Sequence, residues 1–214
     1  MARSVGDHYT AGMQQHTSQQ DLQTIRAALE ANSRLTSLSG AALLISGFLT
    51  FFAAGFTAQA GLAVGEARAG LAGDTLRQMV LIWSATLVAS AALNLLGMLR
   101  RARSDGFPLA ARLGRRVLFA MLPALAVGGA LTLALTMQES LQSIFAVWML
   151  CYGAALIAAS AHSLTSVRML GMFTLIGGAL GVIPGLELDF VLFVATFGAG
   201  HFLLGVWVGV RYGW

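Results

Sequence analysis

The chain has 214 residues, 57% hydrophobic and only 10% charged, with a mean hydropathy of +0.75. A soluble domain carries about 25% charged residues, so too little polar surface exists here to cover a water-soluble globule, and lipid must be the solvent over much of it. The formal net charge is +4 and the isoelectric point about 10.2. Yet six arginines (Arg100, Arg101, Arg103, Arg112, Arg115, Arg116) crowd one segment between apolar runs, opposed only by Asp105 and with no aromatic ladder. That distribution marks a topogenic segment beside anionic headgroups and not a nucleic-acid surface.

Residues 1–20 are polar and without periodicity. Residues 21–38 read as an amphipathic helix: Asp21 is a plausible N-cap, and Leu22, Ile25, Leu29, Leu35 and Leu38 share one broad arc. Arg26, Glu30 and Arg34 follow at i,i+4 on the other side. Such a helix either lies in the interfacial plane or extends the first membrane helix into the cytosol. The first apolar run begins near Ala41, too late for a secretory signal, so the first helix is expected to be an uncleaved anchor.

Six apolar runs follow, at about 40–60, 79–99, 117–137, 141–162, 167–183 and 190–210. Each is long enough to cross a hydrocarbon core of about 30 Å at 1.5 Å per residue. The fold expected is an all-α membrane protein: residues 1–38 form a polar cytoplasmic tail with an amphipathic helix, and 39–214 a domain of six transmembrane helices in up-down hairpins. A Gly/Ala-rich connection, 61–78, carries Glu66, Arg68, Asp74 and Arg77 without net charge. Arginine dominates the even connections and the end of the chain, with Arg168 and Arg211 joining the cluster of six, so both termini are expected in the cytoplasm. Trp83, Trp148 and Trp214 sit near run ends, as interface anchors do. Pro123 should kink the third helix. Gly177-x-x-x-Gly181 and Gly205-x-x-x-Gly209 place flat strips for close helix packing on the fifth and sixth helices.

Buried ionisable groups are the usual seats of membrane chemistry, and no Asp, Glu or Arg lies clearly within the hydrocarbon part of any span. His201 stands near mid-membrane, and with Asn94 it forms the candidate ligand site, for a lipid, quinone or haem. The plain alternative is a neutral histidine bonded to a neighbouring helix. His162 is about a bilayer leaflet away in depth, too far to share a haem with it. The lone Cys151 packs as a small hydrophobe. No metal-ligand spacing, phosphate-binding loop or dinucleotide fingerprint occurs, and no cofactor is evident.

Six helices with a histidine in the sixth resemble the rhomboid family of intramembrane serine proteases, but that family's Gly-x-Ser-Gly motif on the fourth helix is replaced here by CYGAALIAASAH, and Gly205 follows His201 by four residues where that family has three. The closing stretch F-G-A-G-H-F-L-L-G-V-W-V-G-V-R-Y-G, with the polar helix before the first run, resembles a group of bacterial six-helix integral membrane proteins without an assigned function. That resemblance implies a bacterial inner membrane. The function expected is non-enzymatic, an accessory or scaffolding subunit whose partners are the bilayer and another protein or a second copy. The alternatives are a small-molecule carrier with a pocket near His201 and a channel or transporter for a neutral solute.

Overall fold

The computed structural model describes residues 20–25, 38–68, 73–104 and 108–213. The chain divides into two units, Met1–Arg34 and Leu35–Trp214. In the first, residues 20–25 are helical (α1), with the Thr24 hydroxyl donating to the Gln20 carbonyl at 2.8 Å. Of the amphipathic helix expected over 21–38, residues 26–37 lie outside the described residues and Leu38 is not helical; the polar tail up to residue 19 and Trp214 also lie outside them.

The second unit is helical, with no strand among the described residues. Its elements are α2 (Gly40–Gln59), α3 (Gly65–Arg68), α4 (Gly73–Ser104), α5 (Pro108–Met137), α6 (Ile144–Ala159), α7 (Thr165–Gly181), α8 (Asp189–Phe193) and α9 (His201–Tyr212). A π-helical segment, Val194–Gly200, joins α8 to α9, so the last three elements form one rod. Five helical stretches among the described residues are long and apolar enough to cross a membrane: Gly40–Gln59, Gly73–Arg100, Gly114–Met137, Ile144–His162 and Asp189–Tyr212. This is a multi-pass membrane architecture. The 17 residues of α7 reach about 26 Å at 1.5 Å per residue.

Local chemistry sets the helix limits. Ser39 caps α2, its hydroxyl accepting from the Ala42 N–H at 3.3 Å. The helix ends where Gly61, at φ +74°, lets Leu62 N–H reach back to the Thr57 carbonyl and Gly61 N–H to that of Ala58. That is a Schellman stop, possible because glycine adopts left-handed φ without steric cost. The same pattern closes α5, where Ser140 N–H bonds Leu135 and Glu139 takes φ +50°. After α7, Pro184-Gly185 turns the chain, with Gly185 at φ +83° and Leu186 N–H donating to Ile183.

Two boundaries differ from the sequence reading. The arginine-rich segment is not a loop: α4 runs to Ser104 and α5 starts at Pro108, so the six arginines ride on helical turns. Arginine, alanine and leucine are strong helix formers, and nothing stops the helix where its apolar run ends. At its other end α4 begins at Gly73, before the apolar run, inside the stretch expected as a connection. The helix α5 continues through Pro123, which lies on an exposed face.

Neighbouring helices pack antiparallel. Gly97 of α4 faces Ser39 and Ala42 of α2; Gly128 of α5 faces Cys151 of α6. The closest pair is α2 with the final rod. A Cβ on Gly205 would lie 2.5 Å from Leu44 N, one on Gly40 2.5 Å from Gly209 N, and one on Gly47 2.7 Å from the Gly198 carbonyl. Helices α6 and α7 approach nearly as tightly, with Gly153 against Leu175 and Gly178 against Leu150. Close backbone approach is how membrane helices gain packing without a hydrophobic driving force. By contrast α4 and α5 are peripheral: 11% and 6% of their apolar windows are buried inside the protein, against 44% for α2 and for α6.

Hydroxyls thread the helix contacts. Ser46, Thr57 and Thr132 donate to carbonyls of their own helix four residues back and accept from a neighbour: Asn94 Nδ2 on Ser46 at 2.9 Å, Trp83 Nε1 on Thr57 at 3.1 Å and Trp148 Nε1 on Thr132 at 2.9 Å. Trp83 is therefore a core residue, 6% exposed, and not the interface anchor the sequence suggests; Trp148 is half-buried. Their N–H groups are satisfied inside the protein and have no need of headgroup water.

Gly205→Ala forces a methyl into the α2 backbone and is expected to cost about 1–3 kcal/mol, read as a lowered unfolding midpoint in detergent. Gly55→Ala, where no heavy atom lies within 4 Å, is expected to leave the midpoint unchanged or raise it.

Candidate functional site

Three connections meet at one end of the bundle: residues 60–64 after α2, 138–143 between α5 and α6, and the start of α8. At their centre lies Arg68, at the end of the single turn α3 and fully buried. Guanidinium offers five N–H donors in a planar fork, and every one is used. Nε donates to the Leu141 carbonyl at 3.3 Å, Nη1 to those of Leu62 and Ala63 at 2.8 and 3.0 Å, and Nη2 to that of Gln142 at 2.7 Å and to the Asp189 carboxylate at 2.5 Å. The Phe145 ring lies 4.8 Å from the guanidinium carbon, a cation–π contact. Asp189, 3% exposed, accepts with its other oxygen from the Phe190 N–H at 2.8 Å and opens α8, where negative charge suits the helix dipole. This pair has no free donor and no vacant charge. It staples three connections together.

Below Arg68 an aromatic file runs into the bundle. Phe145 packs on Trp83, Phe190 and Phe193; Phe193 stacks on Phe197 at 4.3 Å; Phe197 lies 4.7 Å from Tyr152. The file ends at His201, whose Nε2 is 2.9 Å from the Tyr152 hydroxyl. The other ring nitrogen, Nδ1, is buried without a hydrogen-bond partner. The π segment just before His201 loosens the local carbonyl ladder, as such bulges do, often at functional sites.

The candidate ligands of the sequence reading occupy separate pairs. Asn94 Nδ2 donates to Ser46 and to the Ser90 carbonyl, between α4 and α2; His201 pairs with Tyr152 of α6, and no hydrogen bond links it to Asn94. His201 would reach an incoming ligand through Nε2 only by giving up Tyr152. Among the described residues no three His, Cys, Asp or Glu side chains are grouped to hold a metal. His162 is half-buried at the end of a 3-10 turn after α6. Of the six clustered arginines, Arg100 and Arg103 are exposed near the end of α4, and Arg115 and Arg116 near the start of α5; Arg101 and Arg112 belong to the same helices. Gly205 and Gly209 lie against α2, Gly177 touches Met149 and Thr196, and Gly181 faces Ala146 and Asp189.

Sequence reasoning missed Arg68, Asp189 and Tyr152. Arg68 was one of four balancing charges in a connection, and Tyr152 stands 49 residues from its histidine. The one available signal was the charge of the Gly/Ala-rich connection 61–78, where Arg68 stands with Arg77, Glu66 and Asp74. Comparisons with protein-family models, with curated proteins and with solved structures returned no match.

Replacing Arg68 by Met leaves Asp189 buried and unpaired, and is expected to cost about 3–5 kcal/mol. Adding Asp189→Leu should recover a large part of that loss, so that unfolding midpoints of the two single and the double variants are strongly non-additive. Tyr152→Phe, which removes one hydrogen bond between membrane helices, should cost only about 0.6 kcal/mol.

Proposed function

We propose that the protein is a six-span, non-enzymatic subunit of a bacterial inner membrane, one that scaffolds or accompanies a larger partner. The observation that carries this reading is the closure of the interior. The buried ion pair spends all its donors on the chain itself, and hydroxyls, indoles and the Asn94 amide pair across helices, so the chemistry open to the outside lies on the surface. The peripheral helices α4 and α5 carry the least internally buried apolar windows and provide a face for another membrane protein.

The span needed beyond the five long apolar stretches is α7, the fifth in chain order. Its support is the antiparallel pairing with α6: Gly181 lies by Ala146 and Asp189 at the Arg68 end, while Gly171 lies by Leu156 and Ile157 toward the other. Six crossings put the start of α2 and the end of α9 on one side, where Gly40 meets Gly209. The exposed Arg100, Arg103, Arg115, Arg116, Arg168 and Arg211 belong to that same side, which by the positive-inside rule is cytoplasmic. Arg68 does not oppose this orientation, because its charge is neutralised within the fold.

Gentle extraction of the protein from its own membranes, followed by native mass measurement, is expected to give a stoichiometric complex with other subunits. Recovery alone or as a homo-oligomer would contradict the reading. A second reading, a carrier of a small apolar molecule, draws on the unpartnered Nδ1 of His201. A lipid, quinone or haem that co-purifies with the wild type and is lost in His201→Ala would favour it.

A further inference from the structure

Arg100, Arg103, Arg115 and Arg116 are exposed, and among the described residues none of them is in an ion pair. The apolar run of α4 closes at Leu99, just before Arg100, and that of α5 opens at Val117, just after Arg116. The two helices meet there, since a Cβ on Gly114 would lie 2.7 Å from the Met98 methyl. Arg100 and Arg103 are therefore within about two turns of that contact on one helix, and Arg115 and Arg116 within one turn on the other. Between Arg77 and Glu139 the sequence offers a single acid, Asp105. The one ion pair among the described residues is Arg68–Asp189, at the opposite end.

Depth identifies the chemistry that can neutralise these groups. Arg103 lies about 5 Å beyond Arg100 along the helix. The polar layer on each side of the hydrocarbon core is about 5–8 Å thick. The guanidinium groups stand in that layer, among phosphates, and each can grip a phosphate through two parallel N–H bonds. Four guanidinium groups on helices packed about 8–10 Å apart exceed what one phosphate can neutralise.

We propose that the junction of α4 and α5 is a binding site for a phospholipid whose headgroup carries two phosphates, one held by the arginines of each helix. Basic sites between membrane helices suit such headgroups. The inference needs only that α4 and α5 cross the bilayer and does not depend on the accessory reading.

Delipidated full-length protein in mild detergent is titrated with cardiolipin, phosphatidylglycerol, phosphatidylcholine and, separately, soluble pyrophosphate, and bound lipid is counted by native mass spectrometry. Cardiolipin should be retained most strongly and phosphatidylcholine least. The R103Q/R115Q variant should weaken cardiolipin by about fivefold per arginine removed. Because arginine loss can also disturb insertion, R103K/R115K keeps the charge and removes the fork; its retention should fall between wild type and the glutamine variant. Equal retention of all three lipids, or glutamine and lysine variants that both match wild type, overturns the site. Displacement of cardiolipin by equimolar pyrophosphate overturns the membrane assignment in favour of a soluble phosphate compound.

Discussion

A buried guanidinium is tolerable only if its donors are satisfied, and Arg68 meets that condition by drawing three separate connections to itself. Four backbone carbonyls from residues far apart in the chain, and one carboxylate, must occupy fixed positions around a planar fork. The ends of α2 and α5 and the start of α8 are thereby placed relative to one another. In lipid this matters more than in water, because the helices have no hydrophobic force driving them together. A directional, fully used set of hydrogen bonds supplies the register that apolar side chains alone leave loose. The pair is a specificity device in this account, since desolvation offsets much of its attraction.

The same economy governs the helix contacts further in. A hydroxyl that bonds its own helix remains able to accept, and α2 and α5 use it to receive Asn94, Trp83 and Trp148. Glycines on α2 and the final rod then remove the side chains that would hold the backbones apart. The result is an interior whose polar groups look inward. The exceptions among the described residues are His201, with Tyr152 on one nitrogen and no partner on the other, and the Ser166 hydroxyl. Surface features therefore carry the functional reading: the peripheral apolar helices for a protein partner, and the arginine junction for lipid phosphate.

The helical architecture was legible in the sequence because a bilayer demands long apolar runs, and each expected run overlaps an observed helix. The end of α2 was legible too, since the connection was expected to begin at 61, where Gly61 takes a positive φ. Helix ends beyond the apolar runs were not, because α4 and α5 continue on the propensity of Arg, Ala and Leu after hydropathy has fallen. Trp83 misled for a different reason: its position along the helix suits an interface, but its facing partner, Thr57 of α2, is a tertiary fact. Arg68 and Asp189 are 121 residues apart, and a charge count sees each only as part of its own connection. The pairing of His201 with Tyr152 was hidden in the same way, since periodicity places a residue on a face but does not name what stands opposite.

The most direct test of the staple is backbone hydrogen exchange across the three connections in wild type and in an Arg68→Gln variant that keeps its fold. If Arg68 holds them as one unit, exchange should accelerate together over 60–64, 138–143 and 182–189, while the contact between α2 and α9 stays protected. Acceleration confined to the neighbourhood of residue 68, or none, would contradict the claim that this one side chain organises the end of the bundle.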